Sequence, residues 1–249
     1  MMEERKVPGL RPLTARSVVL STLLGTHPPH LPVRNLIRVG ELFGIAEGTI
    51  RVALSRMVAA GDVAQDDRAY RLAGRLLERQ ARQDESRSPR TRPWRGEWEI
   101  AVVTAERRPA AQRVALRQAM LALRLAELRE GTWLRPANLV RTPELPAIVA
   151  GQCTLLRGRP VGDATAVAAA LWDLEGWAAR AAHLQRALRT VDGLADGFMV
   201  SAAVLHHLLA DPVLPPELLP DDWPGPELRR LYDRFDANYR RLLREYTRT

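Results

Sequence analysis

The chain has 249 residues, 46% of them hydrophobic, and a formal net charge of +8. Its single cysteine, Cys153, excludes an internal disulfide and favours a reducing compartment. No apolar run is long enough to suggest a membrane-spanning helix, and the first residues, MMEERKVPG, lack the apolar segment of a signal peptide. We therefore expect a globular protein of the cytoplasm with no membrane partner.

The positive charge is concentrated in the first third of the chain. Residues 1–92 hold 16 Lys and Arg against 10 Asp and Glu, whereas residues 93–249 hold 21 against 19. A local basic excess predicts attraction to polyanions such as nucleic acid. Genome composition alone also makes many arginine-rich proteins basic, so charge by itself leaves the partner undecided.

Three helices are predicted in the first region. Apolar residues recur at helical spacing over Thr14–Leu24 and Val33–Phe43. Gly44 ends the second helix, because glycine tolerates the left-handed backbone that a helix terminus needs. A third helix begins at about Glu47, although Ala46 before it is a poor N-cap. Its core side is formed by Ile50, Leu54 and Met57, flanked by Ala53 and Val58.

The opposite side of the third helix is made of small residues rimmed by arginine. It carries Gly48, Val52, Ser55 and Ala59, with Thr49, Arg51 and Arg56 at its margins. A solvated helix face usually carries Glu and Lys, whereas small residues edged by Arg suit close approach to another surface. Two helices joined by a short turn containing Gly form a helix-turn-helix, whose second helix enters the major groove. The alternative is a plain packing unit with solvated arginines.

A β-hairpin is predicted directly after this helix. Residues 62–65 and 68–72 flank a tight turn at Asp66 and Asp67, and the hairpin corresponds to the wing of a winged helix. Arg68 and Arg71 are then available for phosphates. We expect Thr49, Arg51, Val52 and Ser55 to face the bases of double-stranded DNA, with Arg56 and Arg68 at its backbone.

The rest of the chain predicts a mixed domain followed by helices. Residues 76–93 are mostly polar and include Pro, so a linker or exposed arm is predicted there. Strands are predicted at Ile100–Val103, at the Gly-Thr-Trp-Leu segment and at Cys153–Leu156, with a long helix over Ala110–Arg129. From about Thr165 the chain is predicted to be helical, interrupted by prolines at 212–226.

The C-terminal region carries two further patterns. The last helix bears an apolar stripe, which is typical of internal core and also of a dimer seam; it comprises Leu228, Leu231, Tyr232, Phe235, Tyr239, Leu242, Leu243 and Tyr246. The segment DPVLPPELLPDDWPG, residues 211–225, predicts a structural brace between C-terminal helices rather than a ligand site.

No enzyme or metal motif is present in the sequence. The histidines at 27, 30, 183, 206 and 207 are not paired with cysteine at zinc spacing, so neither a metal nor a cofactor is predicted. His206 is a weak candidate for lining a ligand pocket. No catalytic residue is predicted, and ligand-binding residues are left unassigned.

Three stretches of the sequence resemble the PaaX family of transcriptional repressors, the phenylacetic-acid-degradation type. They are FGIAEGTIRVALSRMVAAG, the pair WRGEWEI and LREGTWLRP, and LWDLEGWAAR followed by DPVLPPELLPDDWPG. The resemblance implies an α+β fold with four parts. These are an N-terminal winged helix-turn-helix (10–75), a polar linker (76–93), a ferredoxin-like, Cas2-like middle domain (94–162) and a C-terminal helical domain (163–249).

The resemblance also implies a function. Such proteins act as homodimeric repressors on a roughly palindromic operator, and their best-known branch releases DNA on binding an aryl-acyl-CoA effector. The sequence departs from the family pattern at Gly61-Asp62-Val63, where Gly-Trp-Leu is common, and before the proline-rich segment, where His206 and His207 lie. These departures leave open whether the effector is the same, or whether there is one.

A second class of function is a metal-dependent nuclease or RNA-processing enzyme built on the middle domain. Such an enzyme needs a carboxylate at the end of the first strand to hold a metal ion. Val103 and Thr104 lie there instead, and Glu106 is a poor substitute. The sequence therefore favours the regulator.

Overall fold

The computed structural model describes residues 13–140 and 145–248, so the predicted domain limits at residues 10 and 249 lie outside the described residues. The fold is of the mixed α+β class, as predicted, with two small antiparallel sheets. The helices are α1 (Ala15–Leu24), α2 (Val33–Glu41), α3 (Glu47–Ala59), α4 (Arg75–Arg87), α5 (Ala110–Ala122), α6 (Ala147–Gln152), α7 (Ala164–Leu171), α8 (Leu174–Thr190), α9 (Leu194–Leu209) and α10 (Gly225–Arg248). The strands are β1 (His30–Pro32), β2 (Val63–Asp66), β3 (Ala69–Leu72), β4 (Trp98–Val103), β5 (Ala126–Arg129), β6 (Thr132–Pro136) and β7 (Cys153–Gly158).

These elements pack as two units. Of the described residues, the first unit contains 13–87, 181–209 and 226–248. The second unit contains 88–140, 145–180 and 210–225. In the part of the chain that the structure describes, no helix combines the length and the apolar character that a membrane crossing needs.

The first three helices begin and end for local reasons. Thr14 and Ser17 form a capping box at the start of α1, in which Thr14 Oγ1 accepts from Ser17 N at 3.1 Å and Ser17 Oγ accepts from Thr14 N at 2.8 Å. The second helix ends at Glu41, two residues before the predicted Phe43, and Gly44, with φ +66°, lies in the turn that leads to α3. The third helix starts at Glu47, as predicted, and Ala46 makes no side-chain cap.

The first sheet has the strand order β1–β3–β2, and all its pairs are antiparallel. The predicted hairpin forms between β2 and β3, where Gln65 lies opposite Tyr70 and Asp67 adopts φ +48° in the turn. Strand β1 was not predicted, because its three residues, His30 to Pro32, are too short for any alternation to register.

One apolar core joins α1, α2, α3 and this sheet to the start of α4. Its members are buried side chains from all of these elements: Ala15, Val19, Leu20, Leu23, Leu24, Leu36, Ile37, Ile50, Leu54, Met57, Val63, Leu72 and Leu76. Each large member contributes about 1.5–3 kcal/mol by leaving water. The core therefore fixes which face of α3 is turned outward.

Helix α4 occupies much of the segment that the sequence predicts to be a linker. Leu76 joins the core, and the buried Gln80 donates through Nε2 to the carbonyl oxygens of Leu24 at 2.9 Å and Thr26 at 3.0 Å. These bonds satisfy carbonyl groups left free at the end of α1. Helix α4 shows little apolar periodicity, because its buried Gln80 binds backbone carbonyl groups. The apolar pattern therefore does not predict this helix.

Helices α9 and α10 complete the first unit. Leu228 and Tyr232 of the predicted apolar stripe are buried there, whereas Leu242 and Tyr246 near its end are exposed. Arg87 at the end of α4 pairs with Asp233 at 2.8 Å and with Asp236 at 3.1 Å. These ion pairs join the C-terminal helix α10 to the end of α4.

The second unit is built on a sheet with the strand order β5–β6–β4–β7. Its elements follow one another as β4–α5–β5–β6–α6–β7, and both faces of the sheet are covered. One face packs around Ala101, Leu116, Met120, Trp133 and Val149, and the other around Trp98, Leu134, Ala168, Leu214 and Leu218. The three predicted strands are present, as β4, β6 and β7.

The predicted helix over residues 110–129 is shorter than expected. Helix α5 ends at Ala122, and Arg124 has φ +58°, which a continuing helix does not allow. The following residues form β5, which pairs with β6 through Ala126 opposite Leu134. Hydrogen bonding to a neighbouring strand therefore overrides the helical preference of this segment.

The proline-rich segment packs within the second unit. Asp211 Oδ1 accepts from Val213 N at 2.7 Å, and Leu214 and Leu218 are buried against the sheet and α7. Arg135, which is fully buried, donates to Asn138 Oδ1 at 2.8 Å and to the Val213 carbonyl at 3.2 Å. The predicted structural brace therefore holds the sheet as well as the helices around it.

Candidate nucleic-acid interface

Helix α3 presents two faces of opposite character. The predicted core side is confirmed at Ile50, Leu54 and Met57, each of which is 0% exposed. Val58, expected to flank that side, is 37% exposed. Because Ile50, Leu54 and Met57 pack in the core, the opposite surface of α3 faces solvent.

That outer surface carries every residue predicted to face bases. Val52 is 52% exposed, and Thr49, Arg51 and Ser55 are exposed beside it. Gly48 lies on the same surface, and a Cβ added there would meet no atom within 4 Å. An exposed Val surrounded by small and basic residues gives a helix that can approach another surface closely.

The predicted backbone-contacting arginines are also exposed. Arg56 lies in the last turn of α3, and Arg68 lies in the turn of the β2–β3 hairpin. Asp66 and Asp67 share that turn, so its tip is not uniformly basic. Arg71 is exposed on β3.

Arg51 is the predicted base reader that already has a partner. Its Nε and Nη2 each lie 2.7 Å from Glu47 Oε1, one helical turn earlier. An exposed pair at this spacing contributes only about 0.3–0.5 kcal/mol. Glu47 therefore orients the guanidinium of Arg51 without preventing it from exchanging this contact for a stronger one.

The position of α3 is set by a close approach to α2. Gly40 of α2 lies where an added Cβ would be 2.8 Å from both Cδ1 and Cγ1 of Ile50. The two helices thus touch at a distance that only glycine permits.

A buried carboxylate holds the segment that follows α3. Asp62 is 1% exposed, and it pairs with Arg16 of α1 and, at 3.1 Å, with Arg75 of α4. Burial opposes the charged form of Asp62, but the hydrogen bonds and charges of the two arginines outweigh it and hold the pKa of its carboxyl below the ordinary value. The ion-pair cluster therefore joins α1, α4 and the segment after α3.

A second feature of the first unit is a cavity of about 310 Å³. Its walls come from α1, α2, α4, α9 and α10, with Phe198 and Leu205 among its apolar residues. Tyr232 and His206 also line it. Burial, and to a lesser degree the charge of Asp236, raises the pKa of Tyr232 to about 12, so its hydroxyl stays neutral.

Apart from His206, no residue singled out in the sequence indicates this cavity. Its walls are brought together from residues far apart in the chain, which no local pattern reports. The one available signal lay on α10, where Asp236, Arg240 and Arg244 follow Tyr232 at intervals of four residues. A helix buried entirely in a core is apolar on all sides, so charged residues beside the apolar stripe indicate that this part of α10 has a polar environment.

The nuclease alternative gains no support from the second unit. Strand β4 ends at Val103, and Thr104 and Glu106 follow it. Within residues 13–140 and 145–248, no three His, Cys, Asp or Glu side chains are grouped so that they could hold a metal ion.

Comparison with known proteins agrees with the resemblance read from the sequence. Residues 14–76 match the family model described as PaaX-like protein, and residues 172–249 match that of the PaaX-like protein C-terminal domain. A solved structure, uncharacterized protein Rv0674 from Mycobacterium tuberculosis, is 45% identical, with a TM-score of 0.79. The match covers 95% of this chain and 99% of that one. A search of curated proteins gives no match.

These findings define the class first: the members of the matched family are transcriptional regulators that bind DNA. The two matched segments together cover more than half of the sequence. The chain belongs to the PaaX family.

Proposed function

We propose that this protein is a dimeric repressor of the PaaX type that binds a roughly palindromic operator. In this proposal α2, the Gly44 turn and α3 act as a helix-turn-helix, and the β2–β3 hairpin acts as its wing. The observation that carries the proposal is the outer face of α3, where the half-exposed Val52 lies among small and basic residues. Neither a solvated helix nor a packed one needs that combination.

The residues divide into two roles. Thr49, Arg51, Val52 and Ser55 read base edges in the major groove, because the small side chains among them permit close approach and Arg51 offers two parallel donors to a guanine. Arg56 and Arg68 bind the phosphate backbone and fix the register of the helix on the duplex.

The geometry of DNA constrains the proposed homodimer. Two recognition helices bind one face of a duplex only when they are separated by its helical repeat of about 34 Å, or a multiple of it. An aryl-acyl-CoA effector relieves repression by favouring a conformer in which that separation is wrong. The effector must bind the two conformers with different affinity, since equal affinity shifts nothing.

We propose that the protein acts in the cytoplasm and that each remaining region has a separate role. We propose that residues 94–162 form a ferredoxin-like, Cas2-like domain, for which the β4–α5–β5–β6–α6–β7 order is the support. We further propose that residues 10–75 act as the DNA-reading part, that residues 76–93 connect it to the middle domain, and that residues 163–249 form the helical part.

The test is the substitution Arg51→Ala, assayed by gel shift on a duplex taken from upstream of the protein's own gene. The specific affinity is expected to fall by about 1–3 kcal/mol, the value of one bidentate base contact. Arg82→Ala is the matched control, because Arg82 on α4 is similarly exposed and also pairs with an acidic residue one turn earlier, Glu78.

The outcome is read at equal salt for parent and both variants. Parental affinity in Arg51→Ala would contradict the role given to that residue. If the parent protein does not prefer the upstream duplex over a scrambled duplex of equal length, the upstream region does not contain its operator.

A further inference from the structure

The second unit carries a group of exposed arginines at one edge of its sheet. They come from two segments, residues 90–99 and 157–159, which contain the start of β4 and the end of β7. The exposed arginines of these segments are Arg90, Arg92, Arg95, Arg157 and Arg159. The acidic residues of the same segments are Glu97, which is exposed, and Glu99, which is half-buried. We call the five arginines the arginine surface.

Strand pairing brings the two segments together. Glu99 of β4 lies opposite Arg157 of β7, and Arg92 and Arg157 line the same cleft. Beyond the paired residues, the side chain of Arg159 lies against Gly96, since its Nε would be 3.8 Å from a Cβ added there. The arginines therefore form one surface rather than separate charges along the sequence.

Hydrogen bonds hold the first segment in place. Arg92 N donates to the Asn138 carbonyl at 2.8 Å. Trp94 Nε1 donates to the Glu97 carbonyl at 2.6 Å, and this bond closes the turn that presents Arg95. These arginines therefore project from an ordered backbone, so binding an anion to them costs less conformational entropy than binding it to a flexible arm.

The charge of the arginine surface is not balanced by the protein. In the part of the chain that the structure describes, none of the five arginines forms an ion pair. At the opposite edge of the same sheet, Arg117 pairs with Glu127, and Arg129 and Glu130 line one cleft with them. Five neighbouring positive charges repel one another, and an anion placed among them removes that repulsion. The surface is thus suited to a partner that carries several negative charges.

Double-stranded DNA has the chemistry that this surface would bind. It presents one phosphate charge about every 1.7 Å of its axis, and the planar guanidinium group of arginine binds phosphate through two parallel hydrogen bonds. The arginines lie at strand ends and in a turn, so they offer no helix to a groove, and contacts to phosphates carry no sequence information.

We propose that the arginine surface is a second DNA-binding site, which binds the phosphates of a duplex whatever its sequence. The proposal rests on the DNA-binding function proposed above, because that function brings a duplex to the protein. It assigns to the second unit a share of the affinity for DNA, whereas the preference for an operator belongs to α3.

The test is a salt titration of the full chain with the scrambled duplex, measured by fluorescence anisotropy. The double variant Arg95→Gln/Arg159→Gln removes two arginines of the surface. It should reduce the magnitude of the slope of log K against log salt by about 1.8, since each phosphate contact contributes about 0.9. It should weaken the operator and the scrambled duplex by the same factor, so the preference between them should stay that of the parent.

Arg117→Gln/Arg129→Gln is the matched control. It removes the same charge from the same unit, but at the opposite edge of the sheet, where both arginines lie beside glutamates. The control should keep the parental slope. An equal reduction of the slope in both double variants would show an effect of net charge alone and would contradict the proposal.

A parental slope in Arg95→Gln/Arg159→Gln would overturn the proposal. If light scattering on the same samples also gave a lower mass for this variant than for the parent, the arginines would instead join two copies of the chain. These outcomes are separate from a failure of the function proposed above. That failure would appear as a parent with no preference for the operator, whereas the slope on the scrambled duplex would still report on the arginine surface.

Discussion

Asp62 is a buried carboxylate in the first unit of the molecule. It lies between α3 and β2 and connects both to Arg16 and Arg75. Its side chain is 1% exposed, whereas the arginines are half-exposed or more, so water screens the pair from one side only. The cluster therefore adds modestly to stability while fixing the segment that follows α3.

The substitution Asp62→Asn measures that contribution. At pH 7 it should lower the free energy of unfolding by about 1–2 kcal/mol, because it removes two charge-assisted hydrogen bonds but keeps the shape of the side chain. The folded pKa of Asp62 is lowered, so its stabilisation is complete above its ordinary value of 3.8 and is lost as the pH falls below that value. Urea unfolding of parent and variant at pH 7 and pH 3 should show a difference that narrows at the lower pH.

Asp66→Asn is the control for this experiment. Asp66 is an exposed carboxylate in the neighbouring hairpin, and its substitution should change stability by less than about 0.5 kcal/mol. A difference between parent and Asp62→Asn that is equally large at pH 3 would mean that the loss does not come from the ionised carboxylate.

The contact between α2 and α3 predicts a strong response at the scale of the element. Gly40→Ala should lower the free energy of unfolding by about 1–3 kcal/mol, because its Cβ would lie 2.8 Å from the fully buried Ile50. Ile50→Ala makes room for that carbon. The double variant should therefore lose less than the two single losses combined, by at least about 0.5 kcal/mol in urea unfolding.

Gly48→Ala is the matched glycine substitution for that cycle. It lies on α3 with no atom near its added Cβ, and it should stabilise the helix by about 0.5–1 kcal/mol. Strictly additive losses in the Gly40 and Ile50 cycle would show that the two helices do not share the contact.

The elements that sequence reasoning found are those whose burial is apolar and local. Helix α3 was predicted with its start and its core side, because Ile50, Leu54 and Met57 recur at helical spacing and are all buried. The sequence predicts a linker where α4 lies, because the buried face of this helix uses Gln80 and Gln83. It predicts a helix where β5 lies, since only pairing with β6 distinguishes the two.

The same distinction separates the two candidate sites. The outer face of α3 belongs to one helix, so its residues could be named from their spacing alone. The cavity belongs to five helices that lie far apart in sequence, and its partnerless atoms, such as Asn35 Oδ1, are defined only once those helices have packed. Residue spacing along one helix can therefore indicate a surface, whereas a pocket lined by distant helices leaves no local pattern in the sequence.

At the scale of the whole molecule, the N-terminal helices share a unit with the last helices of the chain. The sequence predicts a separate C-terminal domain over residues 163–249, whereas residues 181–209 and those from 226 onward lie in the first unit. The bond from Arg229 Nε to the Ser86 carbonyl, at 3.0 Å, is one of the ties. Parts distant in sequence thus share the unit that carries both the α3 face and the cavity.

The uneven distribution of charge predicts how DNA binding should depend on salt. The first 92 residues hold 16 of the 37 Lys and Arg side chains but only 10 of the 29 acidic ones, so the basic excess lies with the proposed reading helix. Each phosphate contact that releases a counterion adds about 0.9 to the magnitude of the slope of log K against log salt. Arg56→Ala and Arg68→Ala should each reduce that magnitude by about 0.9 and weaken operator and scrambled duplex alike.

Arg51→Ala should behave differently in the same titration, since a base contact carries sequence information. It should reduce the preference for the operator over the scrambled duplex, whereas Arg82→Ala should change neither slope nor preference. The measurement is fluorescence anisotropy over a salt series with both duplexes. An unchanged slope in both Arg56→Ala and Arg68→Ala would mean that these side chains do not contact phosphate, because a phosphate contact cannot be lost without its counterion returning to the DNA.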